Sequence, residues 1–125
     1  MRIERPTPDQ RRPNANADGV FLGAVLSQTV IGDEARDLRL SEHTFQSGAR
    51  NKLHTHTTDQ ILIVTAGEGI VATEHEQRDV RAGDIAFIPA GERHWHGAKP
   101  GTDMTHLVIL GNGKTFIVAD DRPAD

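Results

Sequence analysis

The chain has 125 residues, which is enough for one domain, and 36% of them are apolar, which is enough to form a core. Its 14 basic and 18 acidic residues give a net charge of −4, so phosphate backbones and anionic lipids exert no general attraction on it. No apolar run approaches the roughly 20 residues that span a bilayer, and we therefore expect neither nucleic acid nor a membrane as a partner.

The first 18 residues are rich in proline, arginine and asparagine and show no periodicity. They predict an arm that is irregular or becomes ordered only against a neighbour. The arm also lacks the apolar stretch of a secretory signal, so a cytoplasmic location is expected. We place the folded domain at residues 19–125.

From Gly19 onward, short apolar runs alternate with turn residues, a pattern typical of an all-β protein. The runs are 20–26, 37–45, 51–56, 60–66, 70–74, 85–88, 94–97, 104–110 and 115–118. No window keeps a helical period, so little helix is expected. A small chain with many strands protects its edges by closing into a barrel or a two-sheet jelly roll. We expect its core to include Leu62, Val64, Phe87 and Ile88.

The chain has seven histidines and no cysteine, so any metal must be held by nitrogen and oxygen ligands. His54 and His56 lie two apart in a predicted strand and therefore share one face. They form either half of a metal site or a partly exposed polar edge. Gln60 follows His56 by four residues, so on a continuing strand it points to the same face and is a candidate third ligand. Asp59 is a better ligand by charge, but it points to the opposite face and needs a bulge to turn inward.

A second pair, His94 and His96, flanks Trp95 directly after a tight turn at Pro89-Ala90-Gly91. These two histidines also share a face of a predicted strand. They are either part of a site or rim residues around a buried tryptophan.

Two blocks, residues 48–67 and 83–98, resemble the two motifs of the cupin family. The first block reads Gly48-x5-His54-x-His56-x3-Gln60-x6-Gly67, and the second reads Gly83-x5-Pro89-x-Gly91-x2-His94. The resemblance implies a single cupin (RmlC-like) β-barrel, a double-stranded β-helix jelly roll with one divalent transition metal inside. The ligands that it implies are His54, His56, Gln60 and His94.

The chain departs from the family pattern at two positions: Gln60 replaces the carboxylate of the first motif, and Ala98 replaces the closing asparagine of the second. A shell of three imidazoles and one amide is neutral, so a bound ion keeps its charge and favours Lewis-acid chemistry. The shell also lacks the two-histidine, one-carboxylate triad of non-haem iron oxygenases.

Within the cupins, Gln60 together with residues 91–98 and 104–107 is similar to small bacterial manganese cupins that include hydroxynitrile lyases, which make or cleave cyanohydrins. This similarity implies manganese as the ion, with iron, nickel, zinc, cobalt or copper as alternatives. It further implies that His96 and His106 lie beside the ion and move a proton. Small cupins commonly pair, so a homodimer is expected.

Several other residues are candidates for the substrate pocket. Lys52 and Arg50 lie two and four residues before His54, so on a strand they point to the same face as His54. Lys52 either holds an anionic group at the pocket or is a solvated charge at the end of the strand. For Arg50 the solvated charge is the preferred interpretation. Parity from Leu38 points Ser41 and His43 outward, whereas alignment with the lyase-like cupins points them into the cavity.

These observations leave three hypotheses for function. The first is a metal-dependent lyase acting on a small hydroxylated or carbonyl compound. The second is a dioxygenase acting on a small carbon compound, and the third is a cupin that binds a small molecule without turnover.

Overall fold

The computed structural model describes residues 1–119, and over this range the chain is nearly all-β, which confirms the predicted fold class. One short 3-10 turn, Pro8–Gln10, precedes the strands. The strands are β1 (Arg12–Pro13), β2 (Phe21–Leu22), β3 (Val25–Ile31), β4 (Leu38–Phe45), β5 (Arg50–Asn51), β6 (Leu53–His56), β7 (Gln60–Thr73), β8 (Gln77–Arg81), β9 (Ile85–Ile88), β10 (His94–Ala98), β11 (Met104–Gly111) and β12 (Thr115–Ala119). Within the described range, no helix has the length and apolar character needed to cross a membrane.

The long strand β7 belongs to both halves of the curled sheet. Residues 60–64 pair with β9 or β11, and residues 69–73 pair with β8 or β10. One half runs in the order β1-β3-β4-β11-β7, and the other continues through β10 and β5 to β2. Strand β6 pairs with β10, and β12 pairs with β6. All of these pairings are antiparallel. Because one strand serves both halves, the sheet folds over itself and encloses a space.

Strand β7 is predicted as two runs, 60–66 and 70–74, but it is continuous in the structure. Gly67 lies between the runs at φ +76, and a Cβ at this position would overlap the carbonyl oxygen of Asp103. Glycine serves here as a point of close backbone approach inside a strand, not as a turn. The sequence pattern also misses β8, because the charged, exposed strand Gln77–Arg81 has no apolar alternation.

The N-terminal segment lies against the chain's own sheet. Strand β1 pairs with β3, matching Arg12 with Ser27. Arg11 Nε donates to Glu42 Oε1 at 2.6 Å, and Gln28 Nε2 donates to the same oxygen at 2.9 Å. Burial raises the pKa of Glu42, but these two hydrogen bonds together with the positive charge of Arg11 lower it, so the carboxylate stays charged. This partly buried ion pair fastens the segment to the barrel.

The core consists of two clusters of buried apolar side chains. One contains Val25, Phe45, Ala49, Val64, Ala98 and Met104, and the other contains Leu62, Ile88 and Val108. The prediction of a core position is wrong for Phe87, which is 64% exposed. It neighbours Ile88 on a short strand, and successive side chains of a strand point to opposite faces.

Candidate functional site

Three histidines from two neighbouring strands meet at one point. His54 and His56 lie on β6, and His94 lies on β10 directly opposite His54 in the antiparallel register. One ring nitrogen of each residue lies within 4.8 Å of the other two, and all three side chains are buried. Metal–imidazole bonds measure about 2.0–2.1 Å, so small side-chain rotations bring the three nitrogens onto one ion.

Each of these imidazoles is held at Nδ1 by an oxygen atom. The carbonyl oxygen of Lys52 accepts from His54 at 2.6 Å, and that of Glu92 accepts from His94 at 2.8 Å. The hydroxyl of Thr115 lies 2.8 Å from Nδ1 of His56 and can accept its proton. Hydrogen bonds of this kind fix the tautomer of a metal-binding histidine and leave Nε2 with a free lone pair.

The protonation states also suit a metal site. Burial lowers the pKa of His54, His56 and His94 from 6.5 to about 4. All three rings are therefore neutral near pH 7, and neutral imidazole is the form that binds a metal ion.

Gln60 completes the group from the start of β7. Its Oε1 lies 3.0 Å from Nε2 of His94. Because Nδ1 of His94 carries the ring proton, Nε2 is an acceptor, as the amide oxygen is. With the amide in this orientation two acceptors face each other, and a cation bound between them stabilises this arrangement. Asp59, the alternative donor, is exposed, and its carboxylate accepts the backbone N–H of Ala90 at 2.9 Å.

An unsatisfied nitrogen supports the assignment of a metal. Nε2 of His56 is buried and has no hydrogen-bond partner among residues 1–119. Buried nitrogens are normally satisfied, so an orphan beside two other imidazole nitrogens indicates an absent ligand. The donor set of three neutral imidazoles and one amide oxygen fits a divalent transition metal.

A second pair of histidines lies beside the metal-binding group. His96 and His106 are buried, and Nδ1 of His96 lies 3.0 Å from Nε2 of His106. His96 also stacks on His94, with the rings 15° from parallel and their centroids 5.8 Å apart. Burial lowers the pKa of His96 well below 6.5 and that of His106 to about 3, so both rings are neutral.

Asn51 fixes the tautomers of this pair. Its Oδ1 accepts the backbone N–H of His96 at 2.8 Å, so its Nδ2 is the atom that lies 3.2 Å from Nε2 of the same residue. Nδ2 can only donate, which makes Nε2 of His96 an acceptor and places the ring proton on Nδ1. That proton is then donated to Nε2 of His106.

A glycine allows strand β5 to bring Asn51 this close. A Cβ on Gly97 would lie 2.5 Å from both the carbonyl oxygen of Ala49 and the Cα of Arg50, a distance that real Cβ atoms essentially never show. Arg50 is buried, with its guanidinium carbon 4.1 Å from the centroid of the Trp95 ring. The expectation of a solvated Arg50 is wrong because this cation–π contact covers the side chain.

A cavity of about 370 Å³ lies between the two halves of the sheet. Polar side chains from the strands form part of its wall: His43, Asn51, His54, His56, Gln60, His96 and Thr115. Val108 and Leu110 supply apolar surface, and the remaining lining residues come from the N-terminal segment and β2: Asn14, Ala17, Asp18, Val20 and Phe21. The cavity is large enough for a small organic molecule beside the histidines.

The other candidate pocket residues lie in different places. His43 lines the cavity, as the alignment predicts. Ser41 is half-buried and is not part of the cavity wall. Lys52 acts through its carbonyl oxygen on His54, and its side chain does not line the cavity.

Sequence reasoning missed Asn51, Thr115 and the whole contribution of the N-terminal segment. Asn51 and Thr115 contact histidines 45 and 59 residues away along the chain. Gly97 carried the available signal, because a glycine inside a strand beside a candidate site residue marks the close approach of another backbone.

Known proteins resemble the chain in sequence. Residues 41–111 match the cupin domain family. The (R)-mandelonitrile lyase of Granulicella tundricola is 49% identical over 67 residues, which are 53% of this chain and 51% of the lyase. The acireductone dioxygenase of Parasynechococcus marenigrum is 27% identical over 84 residues, or 61% of this chain and 45% of that enzyme. Each match thus spans about half the length of the relative.

Solved structures agree with the fold. A cupin-like protein from Thermotoga maritima has a TM-score of 0.78 at 30% identity, covering 82% of both chains. A polyketide cyclase from Streptomyces resistomycificus has a TM-score of 0.80 at 18% identity, covering 94% of this chain and 87% of the cyclase, a likeness of fold alone. Since the family match includes both histidine motifs and more than half of the sequence, the chain belongs to the cupin domain family.

Proposed function

We propose that the protein is a metal-dependent lyase that breaks a carbon–carbon bond in a small hydroxylated or carbonyl compound, in the manner of a hydroxynitrile lyase. The observation that carries the proposal is the presence, at one cavity, of a metal-binding group and a second, hydrogen-bonded histidine pair. The partial similarity to (R)-mandelonitrile lyase supports the same reaction class.

We propose His54, His56, Gln60 and His94 as the ligands of one divalent ion, with manganese first and iron, nickel, zinc, cobalt or copper as alternatives. When bound, the ion supplies positive charge that polarises the substrate oxygen and acidifies its hydroxyl group. The ligand shell carries no charge that offsets this effect, because the fourth ligand is an amide.

We propose that His96 and His106 act together in proton transfer, with His96 moving the proton and His106 orienting its ring. His96 lines the cavity, and its Nε2 accepts from Asn51 Nδ2 at 3.2 Å in the free protein. The substrate hydroxyl replaces this long contact, and Nε2 takes the hydroxyl proton of a cyanohydrin. The carbon–nitrile bond then breaks, its electron pair leaves with cyanide, and the oxygen forms the aldehyde carbonyl. His96 returns the proton to cyanide, while the acceptor His106 on Nδ1 keeps the ring oriented throughout.

The direct test is cleavage of mandelonitrile by the metal-loaded protein, measured as benzaldehyde release. We expect turnover by the wild type and its loss in His96→Ala, with unchanged metal content in both proteins. Activity of the wild type no higher than that of the metal-free protein removes the lyase assignment and leaves the metal site standing.

A second candidate, a dioxygenase acting on a small carbon compound, is favoured by the similarity to acireductone dioxygenase. The chain shares 27% identity with that enzyme, and its metal-binding group lacks the carboxylate of the iron facial triad. Oxygen consumption by the iron-loaded form, without cleavage of mandelonitrile, would favour this alternative.

We further propose a homodimer formed through the outer face of the sheet. The registers of β7, β9 and β11 place six apolar residues on one face: Ile61, Ile63, Ile85, Phe87, Leu107 and Ile109. Ile85 is 68% exposed and Phe87 64%. A continuous apolar patch of this kind marks an interaction surface.

A further inference from the structure

A chain of hydrogen bonds connects the N-terminal segment to His43. Asn14 Nδ2 donates to Oγ of Ser27 at 3.0 Å, and Ser27 Oγ lies 2.6 Å from Nδ1 of His43. The orientation of the asparagine amide is fixed, because its Oδ1 accepts the backbone N–H of Asn16 at 2.7 Å. The segment itself is held by a backbone hydrogen bond from Asn14 N to the carbonyl oxygen of Val25 at 2.8 Å.

These contacts favour one tautomer of His43. Asn14 already donates to Ser27 Oγ, so the serine hydroxyl uses its own proton when it donates to Nδ1 of His43. Nδ1 is then an acceptor, so the ring proton of the neutral imidazole lies on Nε2. Burial lowers the pKa of His43 to about 4, so the ring is a neutral donor near pH 7.

The position of His43 gives this donor a target. His43 belongs to β4, in the half of the sheet opposite β6, which carries His54 and His56, and it lines the cavity between them. Among the described residues, no group forms a hydrogen bond with its Nε2. Because His43 is part of the cavity wall, an N–H at Nε2 without a protein partner is available to a bound molecule.

We propose that His43 is a specificity-determining residue that donates a hydrogen bond from Nε2–H to a neutral acceptor group of the substrate, such as a carbonyl or a nitrile. Asn14 and Ser27 are positioning residues that act through His43. The proposal deepens the lyase assignment by naming the substrate group that His43 binds, and to that extent it rests on that assignment. The tautomer stands independently of any activity.

The tautomer is measurable by NMR on the uniformly ¹⁵N-labelled, metal-free protein. Long-range ¹H–¹⁵N correlations show which ring nitrogen carries the proton, and the signals of His43 are identified by their absence in His43→Gln. We expect Nε2–H in the wild type and a shift of population towards Nδ1–H in Ser27→Ala. Thr29→Val, which removes a hydroxyl from an exposed position of the same strand, is the matched control. Nδ1–H in the wild type, or an unchanged spectrum in Ser27→Ala, overturns the proposal.

Binding tests the donor role with benzaldehyde as the neutral probe and benzoate as the anionic comparison. We expect His43→Leu to weaken benzaldehyde binding about tenfold, the loss of one hydrogen bond of about 1.4 kcal/mol. His43→Gln retains an N–H donor and recovers part of the affinity, and the exposed His75→Leu leaves it unchanged. Equal affinity in the wild type and His43→Leu, no saturable binding of benzaldehyde to the wild type, or tighter binding of benzoate than of benzaldehyde overturns the proposal.

The two proposals fail separately. If benzaldehyde binding depends on His43 but mandelonitrile is not cleaved, the lyase assignment falls and the donor role stands. If mandelonitrile is cleaved with the same KM by the wild type and His43→Leu, the donor role falls alone.

Discussion

Asn51 contacts His96 twice, and the two hydrogen bonds run through opposite ends of the same amide. Oδ1 accepts the backbone N–H of His96 at 2.8 Å, and Nδ2 lies 3.2 Å from the ring nitrogen Nε2. The first contact fixes the amide, and the amide then fixes the imidazole. Nε2 is therefore held without a proton, which is the state that a proton-abstracting histidine needs once a substrate hydroxyl replaces Asn51 Nδ2 at this nitrogen.

Replacing Asn51 with aspartate should invert this arrangement. A carboxylate can only accept, so the oxygen that replaces Nδ2 stabilises a proton on Nε2 of His96 and removes the acceptor. We expect kcat for mandelonitrile cleavage to fall at least about tenfold, or about 1.4 kcal/mol, with unchanged metal content.

Asn112→Asp is the matched control for this change. Asn112 is exposed and donates to the backbone carbonyls of Ala35 and Arg36, and none of these three residues lines the cavity. If Asn51→Asp retains the wild-type kcat, the role of Asn51 in setting the tautomer of His96 is refuted.

The metal site makes a graded prediction. His94→Ala removes a proposed ligand, so the purified variant should contain little or no metal by elemental analysis, whereas the exposed His75→Ala should match the wild type. Thr115→Val removes only the hydroxyl beside Nδ1 of His56, and we expect metal affinity to fall by about tenfold. Full metal occupancy in His94→Ala would show that the ion binds elsewhere.

The sequence was sufficient to predict the groups whose geometry is local. His54 and His56 share a face because strand alternation requires it. Gln60 starts the next strand after a break at residues 57–59, so its contact with His94 agrees with the motif spacing and does not follow from alternation. The glycine and proline spacings of the two motifs carried the fold class. These features follow from neighbouring residues and strand geometry.

Contacts between distant parts of the chain could not be predicted in this way. His43 was ambiguous because parity within one strand does not state which face is inside. Its partner Ser27 lies on another strand and is in turn bonded by Asn14, in a segment whose composition predicts an irregular arm. Side-chain amides that pair with distant backbone leave no periodic signal.

The buried neutral histidines predict a stability that falls with acid. Burial lowers the pKa of His43 to about 4 and that of His106 to about 3, from 6.5. Between about pH 3 and pH 6.5 the unfolded chain therefore binds more protons than the folded one, so the free energy of unfolding falls as the pH falls through this window and is unaffected by these groups above it.

Urea unfolding of the chelator-treated protein at several pH values within that window measures how the free energy of unfolding changes with pH. Each pKa unit is worth about 1.4 kcal/mol. His106→Gln keeps an acceptor for Nδ1–H of His96 but does not titrate, so the total loss of unfolding free energy across the window should be smaller by a few kcal/mol. The exposed His75→Gln should leave it unchanged. A slope in His106→Gln as steep as in the wild type would contradict the assignment of a neutral, buried His106.

The cavity wall near the N-terminus depends on Asn16. This residue has φ +54, and its side chain bonds both the N–H and the carbonyl of Phe21, at 2.9 and 3.0 Å. Asn16→Gly keeps the backbone conformation and removes both bonds, so we expect a loss of about 1–2 kcal/mol in the free energy of unfolding. Asn112→Gly, which removes exposed side-chain hydrogen bonds, controls for the effect of glycine itself.

The same variant tests the cavity wall. Benzaldehyde affinity should fall with Asn16→Gly, because Phe21 and Asp18 line the cavity. An Asn16→Gly protein that binds benzaldehyde as tightly as the wild type would show that this wall is dispensable for binding.

The outer apolar face predicts the effect of a single charge on assembly. Phe87 lies beside Ile61 in the register of β7 and β9, so an aspartate there places a carboxylate at the centre of the six-residue patch. A stable interface buries about 800 Å² on each partner, and an unpaired charge within it is costly. We expect light scattering to give twice the chain mass for the wild type and a single chain mass for Phe87→Asp, with an unchanged circular dichroism spectrum.

Phe116 is a matched control, because it is 54% exposed but lies on β12, so Phe116→Asp should remain dimeric. Dissociation by Phe116→Asp and not by Phe87→Asp would move the interface to the other half of the sheet, and a monomeric wild type would remove the dimer altogether.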